Sequence, residues 1–199
     1  MALSSAKPPL RSLLLALAET IGTREKVLLG ELVEALGMRG SGPVILLAAA
    51  MMILPTGMIP GVPAFMGGIL VLAGVQMLRG RRALWLPPLL YGITLPGPAL
   101  LRGIARAAPV TARLERYLRP RWQFLVTWRL SFWCIALIVI VTGGVVIVIG
   151  AVPGIPFLLA FHVLAFGLGL TTGDGFFVAA GHTILLPVIL LAGRFAEIF

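Results

Sequence analysis

Residues 130–150 run for twenty-one positions without a charge. That run constrains the chain more than any other feature. A straight helix rises about 1.5 Å per residue, so it can cross a hydrocarbon core roughly 30 Å thick. Four further apolar blocks share its character: 43–54 with twelve residues, 64–78 with fifteen, 157–170 with fourteen and 176–193 with eighteen. Composition agrees, because 59% of the 199 residues are apolar and only 12% are charged. A soluble domain normally carries about twice that charge, and could not hide so much apolar surface without large exposed patches. The expectation is an all-α integral membrane protein, with residues 1–199 forming a single membrane domain.

The 130–150 block is long enough to cross, and 176–193 nearly so. The other three fall short. The loops beside them explain how such blocks could still sit in a bilayer. The first reads Pro55-Thr56-Gly57-Met58-Ile59-Pro60-Gly61-Val62-Pro63. The second reads Gly150-Ala151-Val152-Pro153-Gly154-Ile155-Pro156. Proline and glycine break a helix, yet neither loop carries a charge. Backbone freed inside a membrane must be buried in protein or line a wet cavity. Discontinuous, partly re-entrant helices have this pattern.

The two loops also match each other. Pro60, Gly61 and Pro63 meet Pro153, Gly154 and Pro156 at an offset of 93 residues. The same offset pairs Gly74 with Gly167 and Gly80 with Gly173. An amphipathic stretch precedes each half. In the first, Leu10, Leu13, Leu14, Leu17 and Ile21 share a face, and a second helix is expected over 24–36. In the second, residues 99–118 oppose Leu100, Ile104, Thr111, Leu114 and Leu118 to Arg102, Arg106, Arg113 and Arg116, with Pro109 expected to break the helix. The reading is two internal repeats, about 9–80 and 102–173. Each runs amphipathic helix, apolar helix, Pro-Gly break, apolar helix. A basic linker over about 79–129 overlaps the start of the second repeat, and a final membrane helix spans 176–193. Such repeats are a transporter feature.

Charge sets the orientation. The chain carries sixteen basic residues against seven acidic ones, a net +9. Residues 7–39 hold five of the basic ones, and 79–129 hold ten arginines with Glu115 as their one acid. Cytoplasmic flanks are enriched in Lys and Arg, which puts both segments on the cytoplasmic side and favours parallel repeats. A charge-free stretch over 83–101 leaves inverted repeats open. The basic charge lies between apolar blocks, with no aromatic interleaving, and so indicates anionic lipid as partner rather than nucleic acid. The single Cys134 lies inside an apolar run, where a buried, inert thiol is expected.

Chemistry is sparse. No paired carboxylate, nucleophile–histidine–acid set, metal-ligand cluster or phosphate loop is present. The sequence therefore predicts no enzyme, no metal and no cofactor. Carboxylates that would couple a cation are missing from the apolar blocks. His162 and His182 are the ionisable groups within them, and His162 follows the second break by two turns. Asp174 lies in a Gly-Asp-Gly turn, where capping is the ordinary role. Helices restarting after the breaks expose free N–H groups and a positive dipole end, which suits an anion. The candidate substrate site is thus Pro60, Gly61, Pro63, Pro153, Gly154, Pro156 and His162. Arg79, Arg81 and Arg82, after the helix that follows the first break, are candidates for a lipid phosphate.

Several of these pieces occur together in a known family. Leu29-Gly30-Glu31-Leu32-Val33-Glu34-Ala35-Leu36-Gly37, then Arg39-Gly40 and Ile59-Pro60-Gly61, lead to Gln76-Met77-Leu78-Arg79-Gly80-Arg81-Arg82 and Trp85-Leu86-Pro87. With Arg119-Pro120 and Gly173-Asp174-Gly175 they resemble the ExoD family of bacterial exopolysaccharide-synthesis proteins over roughly residues 24–193. The resemblance implies a multi-pass protein of the bacterial inner membrane linked to exopolysaccharide production. It supplies no reaction. The expected function is a transporter or flippase-like protein for an anionic or lipid-linked substrate. A non-transport accessory factor and a cation or proton exchanger are the alternatives, and a homo-oligomer is left open.

Overall fold

The structure is a computed structural model that describes residues 10–37, 40–53, 61–80, 87–118, 121–149 and 154–196. It is helical apart from one short antiparallel strand pair. The apolar blocks become α3 (Ser41–Ile53), α4 (Val62–Leu78), α8 (Arg129–Ile149), α9 (Ile155–Thr172) and α10 (Gly175–Ala196). The amphipathic stretches become α1 (Leu10–Ile21), α2 (Leu29–Gly37) and α6 (Gly97–Tyr117). Two single-turn helices, α5 (Pro88–Tyr91) and α7 (Phe124–Thr127), and the strands β1 (Lys26–Leu28) and β2 (Thr94–Pro96) complete the order.

Four helices form the centre. α3 packs on α9 and α4 on α8, while α3 also touches α4 and α8 touches α9. The glycines report the directions. A Cβ on Gly42, at the start of α3, would meet Leu170 and Thr171 at the end of α9. One on Gly167 would meet Leu46. α3 and α9 are therefore antiparallel. Gly67 lies against Gly143 and Ile147, and Gly74 against Ala136 and Ile140, so α4 and α8 are antiparallel too. Thr142 and His162, equally far from the turn that joins α8 to α9, bond to each other. α8 and α9 are thus an antiparallel hairpin. It follows that α3 runs parallel to α8, and α4 parallel to α9.

Positions separated by 93 residues take matching conformations. Gly61 caps the start of α4 at φ 92°, and Gly154 caps α9 at φ 93°. The left-handed region is where glycine carries no Cβ penalty. A proline opens each helix at Pro63 or Pro156, the position where a missing N–H costs least. Gly80 (φ 68°) and Gly173 (φ 74°) follow the two C-termini.

A second layer covers one side. α1 lies antiparallel on α6: the Glu115 carboxylate accepts from the Arg11 backbone N–H at 2.8 Å, while Gly97 touches Ile21 and Arg24 at the other end. Residues 26–28 are strand, not the first turn of the helix expected over 24–36. Val27 is buried opposite Leu95, a partner far away in sequence. Pairing outside the local window overrides helical propensity here. Pro109 does not break α6, which continues to Tyr117. Its ring deprives the Ala105 carbonyl of a helical donor, but both residues are exposed, so solvent can serve that carbonyl. Arg24 clamps the end of α1, donating to the Thr20 and Ile21 carbonyls and pairing with Glu31 at 2.9 Å.

Candidate functional site

The residues singled out from the sequence fall into separate places. Gly61 and Pro63 sit at the turn between α3 and α4, and Gly154 and Pro156 at the turn between α8 and α9. Both turns lie at the same end of the four-helix centre, because α4 and α9 start there and run parallel. Gly61 and Gly154 stand at the tips of the two antiparallel helix pairs. Phe65 donates to the Gly61 carbonyl at 3.0 Å and Leu158 to the Gly154 carbonyl at 3.1 Å, so each first turn closes in the same way. No side chain caps either helix. Pro60 and Pro153 lie outside the described residues, as do Arg81 and Arg82. Arg79 caps the opposite end of α4. A helix of seventeen residues is about 25 Å long, so Arg79 is that far from the tips.

His162 occupies a third place. It is fully buried, and its Nε2 shares a 2.9 Å hydrogen bond with Thr142 Oγ1. Its Nδ1 has no partner among the described residues. Beyond it, the Phe166 ring stands edge-on between His162 and His182, with centroids at 6.0 and 4.9 Å. The Nδ1–H of His182 donates to the Val178 carbonyl within α10. His162 and Thr142 therefore place a polar bridge in the middle of an otherwise apolar hairpin. Asp174 takes the capping role: its Oδ1 accepts from the Phe176 N–H at 3.0 Å where α10 begins. No group of three or more metal-ligating side chains occurs among the described residues. Outside the helical centre, Tyr91 donates to the Glu34 carboxylate at 3.3 Å; partial burial and that carboxylate raise the Tyr91 hydroxyl above its usual value.

A fourth place was not singled out from the sequence. Between the α1–α6 layer and the α3–α9 pair lies a cavity of about 400 Å³. Its walls are Leu, Ile, Ala, Pro, Gly, Val and Met, with Arg106 and Thr111 as the polar members. The amphipathic periodicity of α1 and α6 was legible. That the two apolar faces meet across a gap depends on pairing between segments about ninety residues apart.

The surface divides sharply. Along α8, Leu130, Trp133, Leu137, Val141 and Val148 form one exposed stripe, with Val148 82% exposed. Cys134 is exposed next to Trp133, not buried as expected, because this face of α8 packs against no other helix among the described residues. Leu158 on α9 is 62% exposed, and Phe157 and Phe161 lie near it. Two helices, Arg129–Val148 and Ile155–Thr172, are long and apolar enough to cross a membrane. At the end of α8 away from the tip, Trp122, Trp128 and Trp133 are exposed beside Arg121 and Arg129, and the Arg129 guanidinium lies 5.4 Å from the Trp133 ring centre.

These features define a helical protein with apolar, outward-facing helices and no assembled catalytic group among the described residues. Comparison with known proteins supplies the family. Residues 10–194 match the family described as "Exopolysaccharide synthesis, ExoD", and the chain belongs to it. Protein ExoD of Rhizobium meliloti (strain 1021) is 29% identical over 165 residues, covering 80% of this chain and 66% of that protein. An uncharacterized protein of Synechocystis sp. is 29% identical over 137 residues, covering 67% of this chain and 63% of its own length. The chain thus spans somewhat less than two thirds of the length of these curated relatives. No solved structure matches it.

Proposed function

We propose that this chain is a multi-pass protein of the bacterial inner membrane that moves an anionic or lipid-linked substrate in support of exopolysaccharide production. The observation that carries the membrane part is the unsheltered stripe of α8 with its tryptophan and arginine border. Exposed leucine and valine along a whole helix are unfavourable in water. In a bilayer they face lipid, and Trp with Arg marks the interface. On this reading the basic end is cytoplasmic. Both hairpins enter from it and turn at their Pro-Gly tips towards the far side, as two parallel repeats. α3, with thirteen residues, is about 20 Å long and dips into the core without crossing it fully.

Support for movement of a substrate comes from the duplicated hairpins around a shared centre, an arrangement many transporters use. The buried His162–Thr142 bridge adds a polar feature at depth, where an ionisable group is a functional candidate. The test is reconstitution of the full chain into proteoliposomes. Flux of inorganic anions, Na⁺ and H⁺ is measured beside transbilayer movement of a fluorescent anionic phospholipid. Anion or lipid movement above protein-free vesicles is the expected result. Cation flux without anion or lipid movement would establish an exchanger instead. No flux of any kind, with exopolysaccharide production restored in a deletion strain, would establish the accessory role.

A further inference from the structure

The cavity under α1 and α6 has a composition that selects its occupant. At about 400 Å³ it lies within the usual range of ligand pockets, roughly 300–1,000 Å³. Leu13 and Leu17 of α1, Leu46 and Ala50 of α3, Ala107 of α6 and Leu164 of α9 enclose it. Walls of this kind offer water too few hydrogen-bond partners to hold it. They favour hydrocarbon. A flexible chain fits.

One edge of the cavity carries charge. Arg106 is part of the lining, and Arg102 and Arg113 stand four residues before it and seven after. At 100° per residue the three share one flank of α6, beside the face formed by Leu100, Gly103, Ala107 and Leu114, and all three are exposed. Among the described residues, no salt bridge involves any of them. Arginine forks bind phosphate oxygens in pairs. Hydrocarbon walls with phosphate-binding groups on one edge describe a single ligand class.

We infer that the cavity holds the hydrocarbon chain of an anionic, phosphate-bearing lipid, with the head group on Arg102, Arg106 and Arg113. This rests on the membrane reading above, which gives the cavity access to lipid. It places a phosphate-binding group on the flank of α6, apart from the arginines that follow α4.

The experiment uses the purified full chain in a neutral detergent, with bound lipid read by native mass spectrometry. The probes are phosphatidylglycerol, phosphatidylcholine with the same chains, and inorganic phosphate. Phosphatidylglycerol should bind about tenfold more tightly than phosphatidylcholine, and inorganic phosphate should not displace it. Ala107→Phe and Ala50→Phe fill the cavity from opposite walls. Each should weaken phosphatidylglycerol binding about tenfold without lowering the unfolding temperature. Replacing Arg102, Arg106 and Arg113 together by Gln leaves the core untouched, and should bring phosphatidylglycerol down to the level of phosphatidylcholine. Three results would overturn the inference: equal binding of both lipids to the parent chain, displacement by phosphate alone, or unchanged binding in both filled variants. A dimer mass that both filled variants abolish would make a second copy the occupant and overturn it as well. Lipid binding without flux would sink transport and keep this site. Unchanged phosphatidylglycerol binding in both filled variants, with flux preserved, would sink this site and keep transport.

Discussion

The two hairpins share a framework and differ in what surrounds and fills them. In the first, α3 and α4 have 13 and 17 residues; in the second, α8 and α9 have 21 and 18. The tips at Gly61 and Gly154 have the same backbone angles within a few degrees. Yet α3 lies under α2 and the α1–α6 layer, while α8 presents a bare apolar stripe. The interiors differ too. His162 and Thr142 correspond, 93 residues earlier, to Ile69 and Ala49, both buried. The first hairpin therefore closes with apolar residues where the second uses a hydrogen bond. A buried polar group costs desolvation unless it is satisfied. Since apolar residues close the first hairpin, closure alone does not account for the His162–Thr142 pair.

The largest test of this comparison is at the helix crossings. A Cβ on Gly67 would lie 2.6 Å from the Gly143 carbonyl oxygen, and one on Gly143 equally close to that of Gly67. Gly67→Leu or Gly143→Leu should destabilise by about 3 kcal/mol or more, since backbone cannot move aside as a side chain can. At the matching crossing, Gly167→Leu would press on the Leu46 backbone, 2.7 Å from a Cβ, with a similar cost. Gly68→Leu and Gly144→Leu, with nothing within 4 Å, should change little. Thermal unfolding in detergent reads them all. Tolerance at Gly167 with sensitivity in Gly74→Leu, where a Cβ would lie 2.8 Å from the Ala136 carbonyl oxygen, would break the equivalence of the halves.

The polar bridge comes next. Thr142→Val removes the one hydrogen bond that the His162 ring makes among the described residues, and should cost about 1–3 kcal/mol, the usual cost of a buried group left unsatisfied. Thr142→Ala with His162→Ile gives the second hairpin the residues of the first. Replacing both partners by apolar groups is close to neutral, so this double variant should unfold within about 1 kcal/mol of the parent. Its ability to restore exopolysaccharide production in a deletion strain then separates the roles. A stable variant that fails to complement ties the bridge to function. One that complements shows that the bridge is dispensable.

Much of this layout could be read in advance, and the parts that could not have a common cause. Block ends were visible because proline and glycine bound long apolar runs, and α1 begins and ends where its leucine face does. The glycines that match at 93 residues were visible too; that Gly61 and Gly154 share their backbone angles was not. Partners across the fold were not visible. Nothing local says that Val27 pairs with Leu95, that Gly167 lies on Leu46, or that the faces of α1 and α6 leave a cavity. Pro109 misled because its effect depends on exposure, and exposure belongs to the folded molecule. Among the candidate site residues, the chain order of the two Pro-Gly breaks, His162 and Arg79 was visible, but their places in the fold were not. The sequence could not show that the tips lie at one end of the helices and Arg79 at the other.

A smaller effect isolates the backbone at the tips. Nothing lies within 4 Å of a Cβ on Gly61 or Gly154, so alanine there meets no clash. What remains is the cost of a positive φ for a residue with a Cβ, about 1–2 kcal/mol. Gly61→Ala and Gly154→Ala should lower stability by equal amounts. A difference above about 1 kcal/mol would show that one tip relaxes where the other cannot, and would sharpen where the two hairpins diverge.

The smallest effect lies in the layer that covers α3 and α9 and leaves α8 bare. Glu115 of α6 accepts from the Arg11 N–H at the start of α1, where the helix dipole is positive and backbone donors lack helical partners. Glu115→Gln keeps an oxygen acceptor and removes the charge, so it should cost about 0.5 kcal/mol at low salt and less at high salt. Glu115→Ala removes both and should cost more. Because the contact ties α1 to α6 and touches neither hairpin, the unfolding of the α8–α9 pair should be unaffected. Hydrogen exchange can resolve this: faster exchange confined to residues 10–21 is expected. Loss of protection extending into α8 would mean that the covering layer and the bare hairpin unfold as one unit, and that the difference between the halves is one of surface alone.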